Sequence, residues 1–353
     1  MMERRDFLKT SAAGIAAATT GTAGAATIKP AAGPIREAGT FAPPDTMTEG
    51  EMKYRILGDT GAKVSIIGIG GFHLAKPGGP SQEEAIRIVR SGIDRGLNFC
   101  DNCWDYNGGE SEKRLGLALR DGYRDKVFLM TKIDGRSAKA AMGQLETSLK
   151  RLKTDHLDLL QFHEIIRTSD PIEIFGQGGA LEAVLRAREQ GKLRHIGFTG
   201  HKSPDIHREM FRVAEAFKFH FDTVQMPVNI MDAHFDSFQR VIIPLAMQQR
   251  TAVLAMKTFG DPFVLQSGVA KPIEMLHYSM SQPVSVVITG IDKMEILDQA
   301  LQAVRTYQPM TEAQQKELLA RSAAIGRTGE TEKYKVSSHF DSTSQNPQFL
   351  TEA

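Results

Sequence analysis

The chain has 353 residues, 41% hydrophobic and 24% charged, with 32 Gly and 15 Pro; these proportions exclude a collagen, a coiled coil or a mostly disordered chain, and fit either two domains or one α/β barrel. Its 43 Lys and Arg balance 42 Asp and Glu, for a formal charge of +1, and no long basic run offers to neutralise a row of phosphates, so nucleic acid is not an expected partner. Two cysteines cannot build a disulfide framework, and no stretch is long and apolar enough to span a bilayer.

The N-terminus reads Met1-Met2-Glu3-Arg4-Arg5-Asp6-Phe7-Leu8-Lys9, followed by a weakly apolar run from Ser11 to Ala26 made of Ala, Gly and Thr with one Ile. Paired arginines before such a run resemble a twin-arginine export signal over residues 1–30, with Ala23-Gly24-Ala25 as a cleavage site. Gly14, Gly21 and Gly24 argue against a stable Ala-rich helix there, since each costs a helix about 1 kcal/mol. The resemblance implies the twin-arginine export machinery as a partner, a periplasmic or otherwise exported location, and no stable membrane span once the signal is removed. Residues 31–51, rich in Pro, Gly, Ala and Thr, read as a linker.

Folding begins near Met52. Tyr54 to Val64 reads as a β-hairpin able to cap the bottom of a barrel. Short β-branched runs then end at Gly70, Asp101, Lys132, His163, Thr199, Gln225, Met256 and Thr289, at intervals of 31, 31, 31, 36, 26, 31 and 33 residues. A βα unit needs about 30 residues, so eight units on this beat predict a closed (β/α)8 TIM barrel over residues 52–325. Helical periodicity falls between the strands. Ser81 and Glu84 form a capping box opening a helix that ends near Gly96, and further helices span 111–119, 138–152, 181–190, 204–217 and 235–249. A doubly wound open sheet would want a G-x-G-x-x-G turn, and Gly68-Ile-Gly70-Gly71-Phe-His73 lacks the third glycine. An extra capped helix starts at Thr311-Glu-Ala-Gln314 and runs to about Ala324. The tail, residues 326–353, is polar and aperiodic apart from Phe340 and Phe349, and is either disordered or laid over the barrel.

Barrel active sites lie at the C-terminal ends of the strands, which marks Asp101, Lys132 and His163, with Tyr106 five residues past Asp101. Neighbouring strands lie about 5 Å apart, so a carboxylate, an ammonium, a phenol and an imidazole can converge. Each has a task in reducing a carbonyl. Tyr106 would protonate the developing alkoxide, and Lys132 would bring its phenol towards a matched pKa. Asp101 would hold Lys132 charged, and His163 would donate to the carbonyl oxygen. Singly, each residue has a structural reading, as a buried ion pair, a core histidine or loop packing; jointly, at adjacent strand ends, they favour catalysis.

The stretch from Tyr54 to about Val304 resembles the aldo-keto reductase family. The resemblance rests on Asn98-Phe-Cys-Asp101-Asn-Cys-Trp-Asp-Tyr106-Asn-Gly-Gly-Glu110-Ser-Glu112, then Thr131-Lys132, then Asp158-Leu-Leu-Gln-Phe-His163. It implies a catalytic tetrad of Asp101, Tyr106, Lys132 and His163, extended NADPH binding without a Rossmann domain, and a small aldehyde or ketone as substrate. It also implies cofactor contacts. Thr199 and Gln225 would meet the nicotinamide amide, with Gly200 standing where the family usually has an asparagine. Met256 would replace a stacked aromatic ring, with Lys257 beside it. Gly290, Asp292, Lys293, Asp298 and Gln299 lie where the family binds the adenosine phosphate and adenine. Lys293 near a helix N-terminus suits an anion. One lysine without an arginine favours NADP only modestly over NAD, and Asp292 pushes the other way.

Cys100 and Cys103 bracket Asp101 in a C-x-x-C spacing. An extended strand holds their Cα atoms roughly 10 Å apart, beyond disulfide reach, so two reduced thiols are expected. A structural zinc would need two more ligands, and no second C-x-x-C or His pair accompanies this one, so no metal is expected. His201, just past the fifth strand end, reads equally as a substrate or cofactor contact, a capping residue or an exposed one. Trp104 reads as a pocket wall or as packing beneath its loop. Two other functions stay open: a Schiff-base lyase or aldolase working through Lys132, and a cofactor-binding regulatory protein with little turnover.

Overall fold

Apolar runs of strand length, each followed by a helix of one-sided apolarity, can bury both their faces by closing on themselves into a barrel. They do so in the computed structural model, which describes residues 42–352. The segment read as an export signal and residues 31–41 of the linker lie outside the described residues.

Three short strands precede the barrel: β1 (Met47–Glu49), β2 (Met52–Ile56) and β3 (Lys63–Ser65), paired antiparallel in the order β1-β2-β3. The expected hairpin is thus extended by a strand from the segment read as linker, held in part by the Glu49–Lys63 ion pair at 2.7 Å. Eight parallel strands follow: β4 (Ile67–Gly70), β5 (Phe99–Asp101), β6 (Phe128–Ile133), β7 (Leu157–Phe162), β8 (Leu193–Thr199), β9 (Thr223–Pro227), β10 (Ala252–Met256) and β11 (Val286–Gly290). They close as β10-β11-β4-β5-β6-β7-β8-β9, with Val287 opposite Ile67 and Gly290 opposite Gly70 across the seam. The anticipated ends agree within two residues; β6, β9 and β11 run slightly past Lys132, Gln225 and Thr289.

The helices are α1 (Gln82–Asp94), α2 (Glu110–Ala118), α3 (Ala138–Leu152), α4 (Asp170–Phe175), α5 (Ala180–Glu189), α6 (Pro204–Ala216), α7 (Phe238–Gln248), α8 (Phe263–Gln266), α9 (Pro272–Met280), α10 (Met294–Thr306) and α11 (Glu312–Gly326). At α11 the full capping box of Thr311 and Gln314 is present. At α1 only half of the expected box forms: Ser81 accepts from the Glu84 N–H at 3.1 Å, but the Glu84 carboxylate turns to Arg87, a cation being the stronger partner. α7 starts three residues later than anticipated, because Asp232–His234 make a separate 3-10 turn and Ser237 supplies the cap.

Period-two alternation sorts the strands' side chains into two cores. Cys100, Leu129, Ile133, Phe162, Phe198 and Val287 face the helices, whereas Phe99, Met130, Leu159, Leu254 and Val286 fill the barrel interior. Leu57, from the turn after β2, joins that interior and seals the bottom, a burial contributing roughly 2 kcal/mol. Arg55, fully buried, stitches the hairpin to the barrel by donating to the carbonyls of Val284 (2.6 Å) and Met280 (2.8 Å) and to the Tyr307 hydroxyl (3.1 Å).

The tail lies over the barrel. It carries α12 (Lys333–Val336), α13 (Ser342–Gln345) and a 3-10 turn at Pro347–Leu350, with Tyr334 completely buried. Among the described residues no helix is long and apolar enough to cross a membrane.

His207 of α6 is buried between the rings of Phe198 and Phe238, each with its centroid 5.0 Å away, and neither of its nitrogens has a hydrogen-bond partner. Burial, and then neighbouring His201, pushes its pKa down to about 3. In the unfolded chain it titrates near 6.5, so between the two values the unfolded state binds a proton that the native state refuses, and stability falls as pH falls. Over that window the contribution approaches about 1.4 kcal/mol per pH unit. Replacing His207 by Leu should flatten this part of the acid limb in chemical denaturation measured across pH; an unchanged slope would show that His207 is protonated in the native state.

Candidate active site

The inward-facing register places the predicted residues together. Phe128, Met130 and Lys132 alternate along β6; Leu159, Gln161 and then His163 along β7; Thr223 and Gln225 along β9. Asp101, Lys132 and Gln225 are each at most 4% exposed and His163 is 8% exposed. The Lys132 ammonium donates to the Asp101 carboxylate, to the Asn102 carbonyl at 2.7 Å and to the Tyr106 hydroxyl at 3.2 Å, and lies 4.8 Å from the centre of the Tyr106 ring.

Backbone pairing carries the loop on from β5. Asn102 N–H donates to Met130 O (3.1 Å) and Trp104 N–H to Lys132 O (3.0 Å), so Tyr106 hangs from a pinned segment. The turn behind it holds Asn107, Gly108 and Gly109 at φ of 53°, 64° and 84°. Gly109 is required twice over, since a Cβ there would lie 2.2 Å from the Arg151 guanidinium carbon, whose group donates to Trp104 O at 2.7 Å. Phe72 and His163 flank the phenol edge-on, with ring centroids 5.5 and 5.8 Å away.

One electrostatic expectation is corrected. Lys132 does not bring the phenol's pKa down: burial first, then Asp101, Cys103, Asp105 and Glu164, push it well above the ordinary tyrosine value. The lysine's charge is met by Asp101, and further carboxylates lie near the ring, so the neutral phenol is favoured.

His163 Nδ1 faces Asp134 Oδ1 at 2.8 Å, the Cys103 sulfur at 3.3 Å and Asp105 Oδ1 at 3.8 Å. Burial alone would lower the imidazole's pKa, but Asp134 and then Asp105 turn the net shift upward; burial in turn, with Asp105, pushes the Asp134 carboxyl up to about 6. Sequence reasoning missed Asp134, although the inward alternation of 128, 130 and 132 continues to it. It also missed Asp105, which sits inside a motif it quoted. Arg136 fixes this corner by donating to the carbonyls of Asp134 (2.7 Å), His163 (2.9 Å) and Glu164 (2.9 Å) and to the Asp170 carboxylate (2.9 Å).

The residues expected at the cofactor divide. Thr199 and Gln225 end buried at adjacent strand tips; Gln225 Nε2 donates weakly to Asp101 at 3.4 Å, while Gln225 Oε1 and Gln161 Oε1 are buried acceptors without donors. Gly200 has no room for a side chain, because a Cβ would lie 2.5 Å from Ile165 O and 2.6 Å from His207 Nε2. Met256 is half-buried at the tip of β10. Lys257 turns towards the tail, its ammonium 5.5 Å from the Tyr334 ring centre and 5.4 Å from that of Phe340. Gly290 ends β11 against the His73 ring, where a Cβ would come within 2.4 Å, and Asp292 pairs with Lys76 at 2.7 Å. Lys293 is exposed as the N-cap of α10; Asp298 is exposed and paired with Arg95 at 2.6 Å, and Gln299 is half-buried beside it.

Two weaker expectations meet the tail instead of open space. His201 is buried, not exposed, with Nε2 3.1 Å from Asp341 Oδ1. Trp104 packs edge-on against Phe349 of the tail, centroids 4.9 Å apart. Glu164 was missed; its carboxylate accepts from Ser342 N–H and Thr343 N–H at 2.8 Å and so anchors α13. Nothing in the local sequence marks contacts nearly 180 residues apart.

The sequence model of the Aldo/keto reductase family matches residues 66–274. The chain belongs to the aldo/keto reductase family. The model of the twin-arginine translocation pathway signal sequence matches residues 1–21. Among similar family members, the aldo-keto reductase YhdN of Bacillus subtilis is 29% identical over 216 residues, covering 58% of this chain and 61% of that protein. L-galactose dehydrogenase of Arabidopsis thaliana is 34% identical over 161 residues, covering 42% and 49%. The chain thus spans between half and three fifths of the length of these curated relatives. The fold is that of the aldo-keto reductase AKR11C1 from Bacillus halodurans, with TM-score 0.62, 21% identity and coverage of 76% and 96%. It is also that of an aldo/keto reductase from Klebsiella pneumoniae solved with NADP and acetate, at 0.62, 24%, 76% and 95%.

Both cysteines are free and completely buried, Cys100 in the layer between sheet and helices and Cys103 beside His163. Burial pushes the Cys100 thiol up to about 12 and, with Asp105 and Asp134, raises that of Cys103 as well. Neither should be modified by Ellman's reagent in the native protein at mildly alkaline pH, and both should react after denaturation; fast native labelling of either would contradict this packing.

Proposed function

We propose that this protein is an NADP-linked oxidoreductase that reduces a small aldehyde or ketone to an alcohol after export by the twin-arginine route. The observation that carries the reading is the convergence of Lys132, Asp101, Tyr106 and His163 at adjacent strand ends. Family membership and the NADP-bound neighbour support it.

The site fits the cofactor at one decisive place. The orphaned Oε1 atoms of Gln225 and Gln161 are acceptors suited to the two N–H bonds of a nicotinamide carboxamide, beside Thr199. Gly290 and Lys293 would take the phosphate end, and Met256 the ring face. Bound NADPH would supply the hydride that reduces the carbonyl carbon.

The protein's own groups handle the oxygen. Tyr106, kept protonated by its acidic, buried surroundings, donates its proton to the carbonyl oxygen as negative charge develops there. Lys132 then lies 3.2 Å from the resulting phenolate and stabilises it, while Asp101 and Asn102 O fix the ammonium's direction. His163, with Nδ1 turned to Asp134, presents Nε2 to the carbonyl. The three contacts made by Lys132 Nζ are those of a charged ammonium, which argues against the Schiff-base reading, since that chemistry needs a free amine.

Because the twin-arginine route carries folded proteins, the nucleotide would travel already bound. Protein recovered from the periplasm should release NADP(H) on denaturation. Tyr106→Phe should retain NADPH binding, read by quenching of the nucleotide's fluorescence, while turnover of an aldehyde panel falls between about 100- and 10,000-fold. Failure to bind NADPH, or full turnover by the variant, would overturn the proposal.

A further inference from the structure

Beside His163 the protein buries more anionic groups than it neutralises. Cys103 Sγ, one carboxylate oxygen each from Asp105 and Asp134, and His163 Nδ1 all lie within 4.8 Å of one another. Asp134 is 0% exposed, and the Asp105 side chain is 5% exposed. Nevertheless Asp105 Oδ1, aimed at His163 Nδ1 from 3.8 Å, and Asp134 Oδ2 have no hydrogen-bond partner. Leaving such oxygens unpaired in the interior costs several kcal/mol unless a cation or proton meets them.

Nearby protein cations are committed elsewhere. Arg136 serves three backbone carbonyls and Asp170, Lys132 serves Asp101, and Arg151 serves Trp104 O and Glu112. Among the described residues, the ion pairs of Asp105 and Asp134 are with His163 alone.

We propose that Cys103, Asp105, Asp134 and His163 form a binding site for a zinc-like divalent cation. One sulfur, one imidazole nitrogen and two carboxylate oxygens are a donor set that suits tetrahedral zinc. Bonds of about 2.0–2.3 Å to such an ion set neighbouring donors roughly 3.3–3.7 Å apart. Around His163 Nδ1 the measured separations are 2.8, 3.3 and 3.8 Å, and all four donors lie within 4.8 Å of one another, so movements of about 1 Å bring the set into range. On binding, Cys103 gives up its thiol proton to solvent and coordinates as thiolate, and the proton shared by His163 Nδ1 and Asp134 is likewise released, to solvent or to Nε2, so that the Nδ1 lone pair and the carboxylate both face the ion. The ring is then fixed as the tautomer protonated on Nε2, the nitrogen turned away from the metal. The two ligands that a C-x-x-C pair seemed to lack come from Asp105 and Asp134, and from His163 in place of Cys100.

The site stands independently of the reductase reading, and so does its test. The mature chain, dialysed against Zn2+ and then against metal-free buffer, should retain one zinc per chain by elemental analysis. Loaded with Co2+, it should show thiolate-to-cobalt charge transfer and the intense visible bands of four-coordinate cobalt. Cys103→Ser should remove the charge-transfer band, and Asp105→Asn should weaken binding by about 10-fold or more. Cys100→Ser, which alters a core residue outside the cluster, should leave stoichiometry and spectrum unchanged. If wild-type protein retains no stoichiometric zinc, or its cobalt spectrum is insensitive to Cys103→Ser, the proposal is overturned and His163 and the two carboxylates share a proton. Carbonyl turnover enters none of these readouts, so inactivity of the enzyme leaves this result interpretable.

Discussion

The buried pairing of the Lys132 ammonium with the Asp101 carboxylate organises the mouth of the barrel. Each charge left alone in that interior would cost several kcal/mol, so neither side chain can leave without the other. The pair joins the tips of β5 and β6. The same ammonium reaches Asn102 O and Tyr106, so it fixes both the course of the loop and the position of the phenol. Two further backbone bonds, Asn102 to Met130 and Trp104 to Lys132, extend the β5–β6 ladder past the strand and keep that loop from swinging. The Tyr106 phenol is therefore held by the scaffold itself.

Around this pair the charges fall into two groups. In one, Lys132 balances Asp101 beside Tyr106. In the other, Asp105 and Asp134 outnumber the single imidazole of His163. The acidic surroundings explain why Tyr106 is held protonated in spite of its lysine, and they also create the surplus of negative charge that a metal would satisfy.

The tail completes the mouth by polar contacts. Asp341 meets His201 and Lys202, Glu164 holds α13, and Lys335 is buried between Asp232 and Glu332. Phe349 covers Trp104, and Arg136 N–H donates to Leu350 O at 2.8 Å. Trp104, Glu164 and His201 thus share one roof. This is why Trp104 and His201 contact the tail, and why Lys257, also expected near the cofactor, points at Tyr334 and Phe340.

The barrel was legible in the sequence because a βα unit has a fixed length and a strand a fixed period. Those two regularities gave the eight strand ends within two residues and put Asp101, Lys132 and His163 on one rim. Local chemistry likewise marked Ser81 and Thr311 as helix caps, each accepting from a backbone N–H three residues ahead. Contacts distant along the chain left no such trace. A polar tail with two phenylalanines says nothing of Glu164 or Asp341. Cys103 and Asp134, 31 residues apart, do not announce that strand pairing will bring them to one imidazole. The sign of the Tyr106 shift was hidden for the same reason: a pKa is the sum over every charge and every lost water around the group, and only the closed barrel decides which those are.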